Sequence, residues 1–321
     1  MMKVNTGKSP PFIDTPYANL LITMVFFASA FTSSKVVVGH MPHDAAAALR
    51  FLGGGIILAI VLAISKDQFF ISPHNLIRCA IAGSIGVFVY NLLFFQGVNL
   101  APAIDGALIV PVLSPLFTFI ILVSLKKETP TFAKVVGLSL GVVGAVIFVG
   151  NQGDLAALGN RFIGDLVFLA AAISWALYGI VSKNILRNIT PLQATTWSTI
   201  FGSIMLCAVS IPSFSKINWG AIPPVAECNL IFLAVGPTAI AYLFYYRGLG
   251  KVTPTTATLM MLSVPVFGAV FAFFFLGETI VGWQIVGACL LLAGAFISLI
   301  SWKAYSYRGR HRRIHASHRH S

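Results

Sequence analysis

The chain is poor in charge. Only 9% of its 321 residues are Asp, Glu, Lys or Arg, and just nine are acidic. A soluble domain carries about 25% charged residues. With 57% of residues hydrophobic, most side chains must face lipid or protein, which excludes a water-exposed globular domain. Organised cysteine is missing as well. Cys79, Cys207, Cys228 and Cys289 stand singly, without a CxxC pair or zinc spacing, and read as small apolar packing residues. No histidine lies deep in an apolar run: His40, His43 and His74 flank such runs, and His311, His315, His318 and His320 belong to the tail. His311-x-x-x-His315 has metal spacing but no accompanying carboxylate or cysteine, so a solvated tail touching anionic lipid is the expectation. A Gly-rich loop followed by Lys-Ser/Thr is also lacking, which argues against direct ATP drive. No catalytic residue, metal or cofactor is expected, and the chain is not expected to be an enzyme.

One sign of charge is in excess, at +12. Lys303, Arg308, Arg310, Arg312, Arg313 and Arg319 crowd the tail, and the other basic residues sit mostly in short turns between apolar runs. A nucleic-acid surface would gather them on one face with aromatics, so no nucleic-acid partner is expected.

Long apolar runs are what the chain has. A span needs about 20 residues. Candidates are Tyr17–Val38, Ala45–Ile64, Leu76–Phe95, Gly106–Leu125 and Phe132–Val149, then Phe162–Ser182, Leu192–Ile211, Val225–Tyr246, Thr255–Leu276 and Val281–Ile300. All are read as helices, because open strand edges cannot be satisfied in lipid. Ala28-Ser29-Ala30 fits a signal-peptide cleavage pattern. It is rejected, because Ser174-Trp175-Ala176-Leu177 opens a later segment in a similar position.

That later segment belongs to a repeat. Ala257–Gly294 lies on Ala107–Gly144 without a gap: Pro265 falls on Pro115, Phe267 on Phe117, Glu278-Thr279 on Glu128-Thr129 and Gly287 on Gly137. The expected organisation is a tail (1–16), a first five-helix unit (17–150), a linker (151–161), a second five-helix unit (162–301) and a basic His-rich tail (302–321). The positive-inside rule orients it. With the N-terminus in the cytoplasm, Lys66, Arg78, Lys126, Lys127, Lys134, Lys183, Arg187, Arg247, Lys251 and both tails fall inside, and only Arg161 and Lys216 fall outside. Both termini are then cytoplasmic. Five spans per unit is an odd number, so the second unit enters the membrane inverted. Inverted repeats are a mark of secondary transporters.

Several stretches carry a family resemblance: Ala48-Leu49-Arg50-Phe51-Leu52, Ser114-Pro115-Leu116-Phe117, Val264-Pro265-Val266-Phe267, Leu276-Gly277-Glu278 and the run from Ala241-Tyr242 to Arg247-Gly248-Leu249. Over about residues 17 to 300 the chain resembles the drug/metabolite transporter superfamily in its ten-helix EamA-type branch. The resemblance implies an all-α integral membrane protein of ten transmembrane helices, multi-pass in a cell inner membrane. It also implies export or exchange of small metabolites such as amino acids, and a central cavity lined mainly by helices one, three, four, six, eight and nine. Two departures stand out. Val264 replaces a Glu frequent in the family, which removes one coupling carboxylate, and Lys126-Lys127-Glu128 replaces Leu-Gly-Glu.

Candidate cavity residues are Tyr90, Asn91, Ser114, Trp175, Tyr178, Tyr242 and Arg50. Trp175 and Tyr178 share a helix face, and Tyr242 repeats the position of Asn91, 151 residues on. Such a lining suits a small amphipathic solute, an amino acid or an aromatic metabolite; helix–helix packing is the plain alternative, preferred for Tyr245, Tyr246 and Gln96. Lys35, Asp44 and Asp105 are candidates for an outer gate or charge pair, since intramembrane charges face inward and pair. Pro111, Pro115, Pro237 and Pro265 each remove a helical hydrogen bond and are expected to bend their helices around the cavity. Gly137-x-x-x-Gly141 with Gly144 offers a small-residue face for close packing. The partners implied are a small-molecule substrate and the bilayer, with a monomer or a homodimer both compatible. Exchange of phosphorylated or nucleotide-linked solutes is the alternative function, and a membrane-embedded enzyme is a distant third.

Overall fold

The computed structural model describes residues 15–149, 158–276, 282–283, 285–287 and 289–298. The expectations on the two tails, on residues 150–157 and on Gly277-Glu278 lie outside them. Helices account for the described chain, with no strand among those residues. In order they are α1 (Pro16–Val38), α2 (His43–Ile64), α3 (Pro73–Leu100), α4 (Ala103–Ser124), α5 (Phe132–Val149), α6 (Leu158–Ile185), α7 (Pro191–Phe214), α8 (Pro224–Lys251), α9 (Pro254–Leu259), α10 (Val264–Leu276) and α11 (Ile285–Ser298). Seven of them (α1 to α4 and α6 to α8) are long and apolar enough to cross a membrane. The chain is a multi-pass membrane protein. Its surface agrees: Ile56, Ile60 and Ile64 form an exposed stripe on α2, as do Ile204 and Ile211 on α7.

Local chemistry sets the helix starts. Thr15-Pro16, Ser72-Pro73, Thr190-Pro191 and Thr253-Pro254 each put a capping hydroxyl before a proline in the first turn. The hydroxyl accepts an otherwise orphaned amide, and the proline has no amide to orphan. At α7 Gln193 bonds back to the Thr190 amide and completes a capping box. Three helices outrun the apolar pattern. α6 begins at Leu158, inside the expected linker, and α3 and α8 extend to Leu100 and Lys251. The polar residues at these ends continue the helix because they find partners there, as the ion pair and lysine clamps below describe.

α3 and α8 share an irregularity. α3 turns π-helical over Ser84–Val89, and α8 over Ala234–Ile240, 150 positions later. Pro237 sits inside the second π segment, while the first has no proline. Pro265 follows a tight turn, Met260–Ser263, that joins α9 to α10. Pro111 and Pro115 do not interrupt α4, which runs as one α-helix through both.

The bundle is tied by reciprocal contacts. α2 packs on α7, α3 and α4 pack on α6, and α1 packs on α8. Ser174 on α6 donates to Ile85 O in the π segment of α3 at 2.8 Å, and Thr23 on α1 donates to Ala241 O at the end of the π segment of α8 at 3.1 Å. Close approach explains the glycine face. A Cβ at Gly137 would lie 2.5 Å from Gly294 O, and one at Gly144 would lie 2.9 Å from Gly287 O, so α5 and α11 touch backbone to backbone. The start of α1 lies beside the end of α8, where a Cβ at Gly248 would meet Pro16 O at 3.0 Å.

Candidate functional site

The helices converge on one small pocket. Its walls are Phe27, Ala30 and Phe31 from α1, Arg50 from α2, Tyr90, Asn91 and Phe94 from α3, Val110 and Pro111 from α4, Trp175 from α6 and Tyr242 from α8; Met261 and Val264 come from the turn into α10 and its first residue. The space between their atoms is about 370 Å³, of which about 20 Å³ admits the centre of a water molecule. That is room for about one water. The pocket is closed in this conformation.

Aromatic rings build most of the wall. Trp175 lies 4.8 Å from Tyr90, meets Phe27 edge-on at 5.2 Å and meets Tyr242 edge-on at 5.9 Å, centroid to centroid. Edge-to-face packing aligns the positive rim of one ring with the negative face of another. The π segment fixes the polar groups. Asn91 Nδ2 donates to Val87 O at 2.9 Å, and Tyr242 Oη donates to Gly86 O at 3.5 Å. A π turn shifts the backbone bonding pattern, and these two side chains serve the carbonyls it releases. Asn91 Oδ1 and Trp175 Nε1 are buried without a hydrogen-bond partner, and both residues line the pocket.

Arg50 supplies the charge. It is 3% exposed, and its Nε donates to Thr238 Oγ1 at 2.8 Å. Its guanidinium carbon stands 4.9 Å from the centre of the Phe51 ring and 5.8 Å from that of Phe95. Among the described residues, carboxylate–cation pairs form at Lys134–Glu128 and Arg161–Asp105, and neither includes Arg50. A buried cation without a counter-charge costs several kcal/mol.

The other candidates distribute unevenly. Tyr178 is fully buried and packs on Trp175 at 5.3 Å, one layer behind the wall. Ser114 turns away from the pocket to bond Val110 O at 2.7 Å and Ala172 O at 3.2 Å. Its hydroxyl satisfies backbone instead of a solute. Lys35 does not pair with Asp44 or Asp105, contrary to expectation. Its Nζ donates to Val98 O at 2.7 Å and Ala101 O at 3.2 Å, because the end of α3 offers orphan carbonyls within reach. Asp44 accepts from Ser213 at 2.5 Å. Asp105 takes a two-pronged bond from Arg161 at 2.8 and 2.9 Å. Nothing in the sequence announces that pairing, because Arg161 falls in the polar stretch expected to be a linker. Phe27, Phe31, Phe94 and Met261 were missed too, because an apolar wall residue has the same signature as core. Val264, notable in the sequence for the carboxylate it replaces, stands in the wall.

The profile of the EamA-like transporter family matches residues 15–150 and again 162–300. The chain belongs to that family. Relatives agree along nearly the whole EamA-like region. An uncharacterized transporter, YyaM, of Bacillus subtilis (strain 168) is 29% identical over 284 residues, covering 87% of this chain and 91% of its own. A probable amino-acid metabolite efflux pump of Salmonella typhimurium (strain LT2) is 25% identical, covering 88% and 94%. A probable terminal-alkyne amino-acid exporter of Streptantibioticus cattleyicolor is 23% identical, covering 87% and 91%. A solved crystal structure superposes with a TM-score of 0.70 at 19% identity, covering 90% of this chain and 97% of that one, which shows a shared fold. Family membership makes this chain a transporter of small molecules.

Proposed function

We propose that the chain exports carboxylate-bearing small metabolites, amino acids foremost, through the closed pocket by alternating access. The observation that carries this is Arg50: a buried guanidinium, bonded to Thr238 at one nitrogen and facing a pocket with no carboxylate of its own. A solute carboxylate supplies the missing charge, and the planar guanidinium grips it two-pronged. The faces of Tyr90, Trp175 and Tyr242 receive an ammonium group by cation–π attraction. The names of two relatives, a probable terminal-alkyne amino-acid exporter and a probable amino-acid metabolite efflux pump, support the substrate class. A phosphorylated solute fits less well. Such a solute needs further free cations in the cavity, but Lys35 and Lys183 are engaged with backbone carbonyls, and Arg247 lies over Phe244.

The same reading holds that the chain crosses an inner membrane ten times, as two inverted five-helix repeats (17–150 and 162–301) with both termini cytoplasmic, and works as a monomer or homodimer. The π segments 150 positions apart and the reciprocal Ser174 and Thr23 bonds support the repeat. The meeting of the start of α1 with the end of α8 supports its inversion. Counterflow uptake in proteoliposomes across labelled amino acids, with and without a pH gradient, tests the function. Exchange of a neutral or aromatic amino acid whose half-saturation concentration Arg50→Gln raises about ten- to hundredfold is the expected result. Exchange of phosphorylated solutes alone would overturn it.

A further inference from the structure

A second cavity opens beneath the pocket, on the face where α4 and α6 end and α9 begins. It has room of about 430 Å³, with Leu122 and Ile180 among its walls. Its lining carries Lys126, Lys127, Lys134, Lys183 and Arg187 against Glu128 as the one carboxylate. The positive-inside rule explains cations on this face. It does not explain why cations from the turn after α4, from α5 and from the end of α6 converge on one cavity. The groups divide by engagement. Lys134 is buried and donates to Glu128, which also accepts from Thr255. Lys183 donates to Leu249 O at 2.7 Å and Gly250 O at 2.8 Å. Lys126, Lys127 and Arg187 make no such bond and form the open rim. The rim is held in shape at a cost. Lys126 adopts φ 54°, a left-handed conformation that costs a side-chain-bearing residue about 1 kcal/mol. The turn directs the amides of both Lys127 and Glu128 to Leu122 O, at 2.9 and 3.2 Å.

We propose that this vestibule is a second binding site, which captures the carboxylate or phosphate group of an anionic solute before it reaches the central pocket. The proposal rests on the transport reading above. Capture by the anionic end turns the solute so that its carboxylate leads toward Arg50 and its remaining groups trail into the aromatic walls. The engaged lysines hold the cavity's shape, and the rim cations bind.

The test uses the full chain in nanodiscs and radiolabelled inorganic phosphate, read by scintillation proximity at constant ionic strength. In neutral phosphatidylcholine, binding should saturate. Lys126→Gln/Lys127→Gln/Arg187→Gln should weaken it about tenfold or more, since each charge-assisted bond counts for roughly that factor. Arg187→Gln alone should weaken it measurably, and these exposed positions leave the packed core untouched. Lys66→Gln, which removes a charge from the same face outside the cavity, should stay within about twofold. Unsaturable binding, or equal binding by the triple variant, would overturn the proposal. Repeating the titration with phosphatidylglycerol separates the sources: retained binding supports a solute site, and lost binding assigns the cavity to a lipid headgroup and overturns it. Failure of amino-acid counterflow with phosphate binding intact would count against the transport reading and leave the vestibule standing.

Discussion

Arg50 carries a charge that its surroundings do not neutralise, and this separates a ligand from a structural residue. Cutting one half of a buried ion pair strands the other half as an unpaired charge, whereas removing Arg50 strands no charge and breaks only its hydrogen bond to Thr238. Arg50→Gln should therefore leave the melting temperature in detergent unchanged or higher, while the half-saturation concentration for an amino acid rises about ten- to hundredfold. A drop of many degrees would mark Arg50 as structural. Arg50→Lys should recover only part of the loss, because an ammonium cannot grip a carboxylate two-pronged. At Trp175 the ring and the N–H separate. Trp175→Phe keeps the aromatic face and loses the unpartnered donor, so counterflow should fall by less than about tenfold. Trp175→Leu removes the face as well and should fall further for solutes bearing an ammonium.

At the scale of elements, the π segments and the glycine contacts define how helices meet. Asn91 and Tyr242 both bond carbonyls of the first π segment, so the pocket wall is set by a backbone irregularity as much as by side chains. α5 and α11 meet where Gly137 faces Gly294. Gly137→Leu has no room against a backbone carbonyl and should destabilise the protein by about 1–3 kcal/mol, seen as a lower melting temperature. Gly268→Ala, with nothing within 4 Å, should not lower it. Equal melting of the two variants would show that the close approach is dispensable.

For the whole molecule, two side-chain ties stand at opposite ends of α4. Arg161 on α6 grips Asp105 on α4 at one end, and Thr255 on α9 bonds Glu128 beyond α4 at the other. The alternating access proposed above would have these ties open in turn. Ala30 lines the pocket, and Ala30→Cys, in a chain whose four native cysteines are replaced by alanine, reports access to it. Adding Asp105→Asn should raise its labelling by an impermeant maleimide from the outer side. Adding Glu128→Gln should raise it from the cytoplasmic side. If neither variant alters labelling, the ties are not gates.

The sequence by itself determined the membrane environment and the helical class, and it singled out Tyr90, Trp175 and Tyr242, which the structure places in one pocket wall. It could do so because low charge density, apolar run length and repeated spacing are properties of the chain alone, as a proline recurring at 115 and 265 shows. The tertiary structure decided the partners. Lys35 looked like half of an ion pair with Asp44 or Asp105, yet it clamps Val98 and Ala101, Asp105 goes to Arg161 and Asp44 goes to Ser213. Ser114 looked like lining and proved to be packing. The π segments left no readable mark at residue 84, where no proline announces one. In each case the cause lies in distance: residues far apart in sequence compete for the same group, and only folding shows which one is close enough to take it.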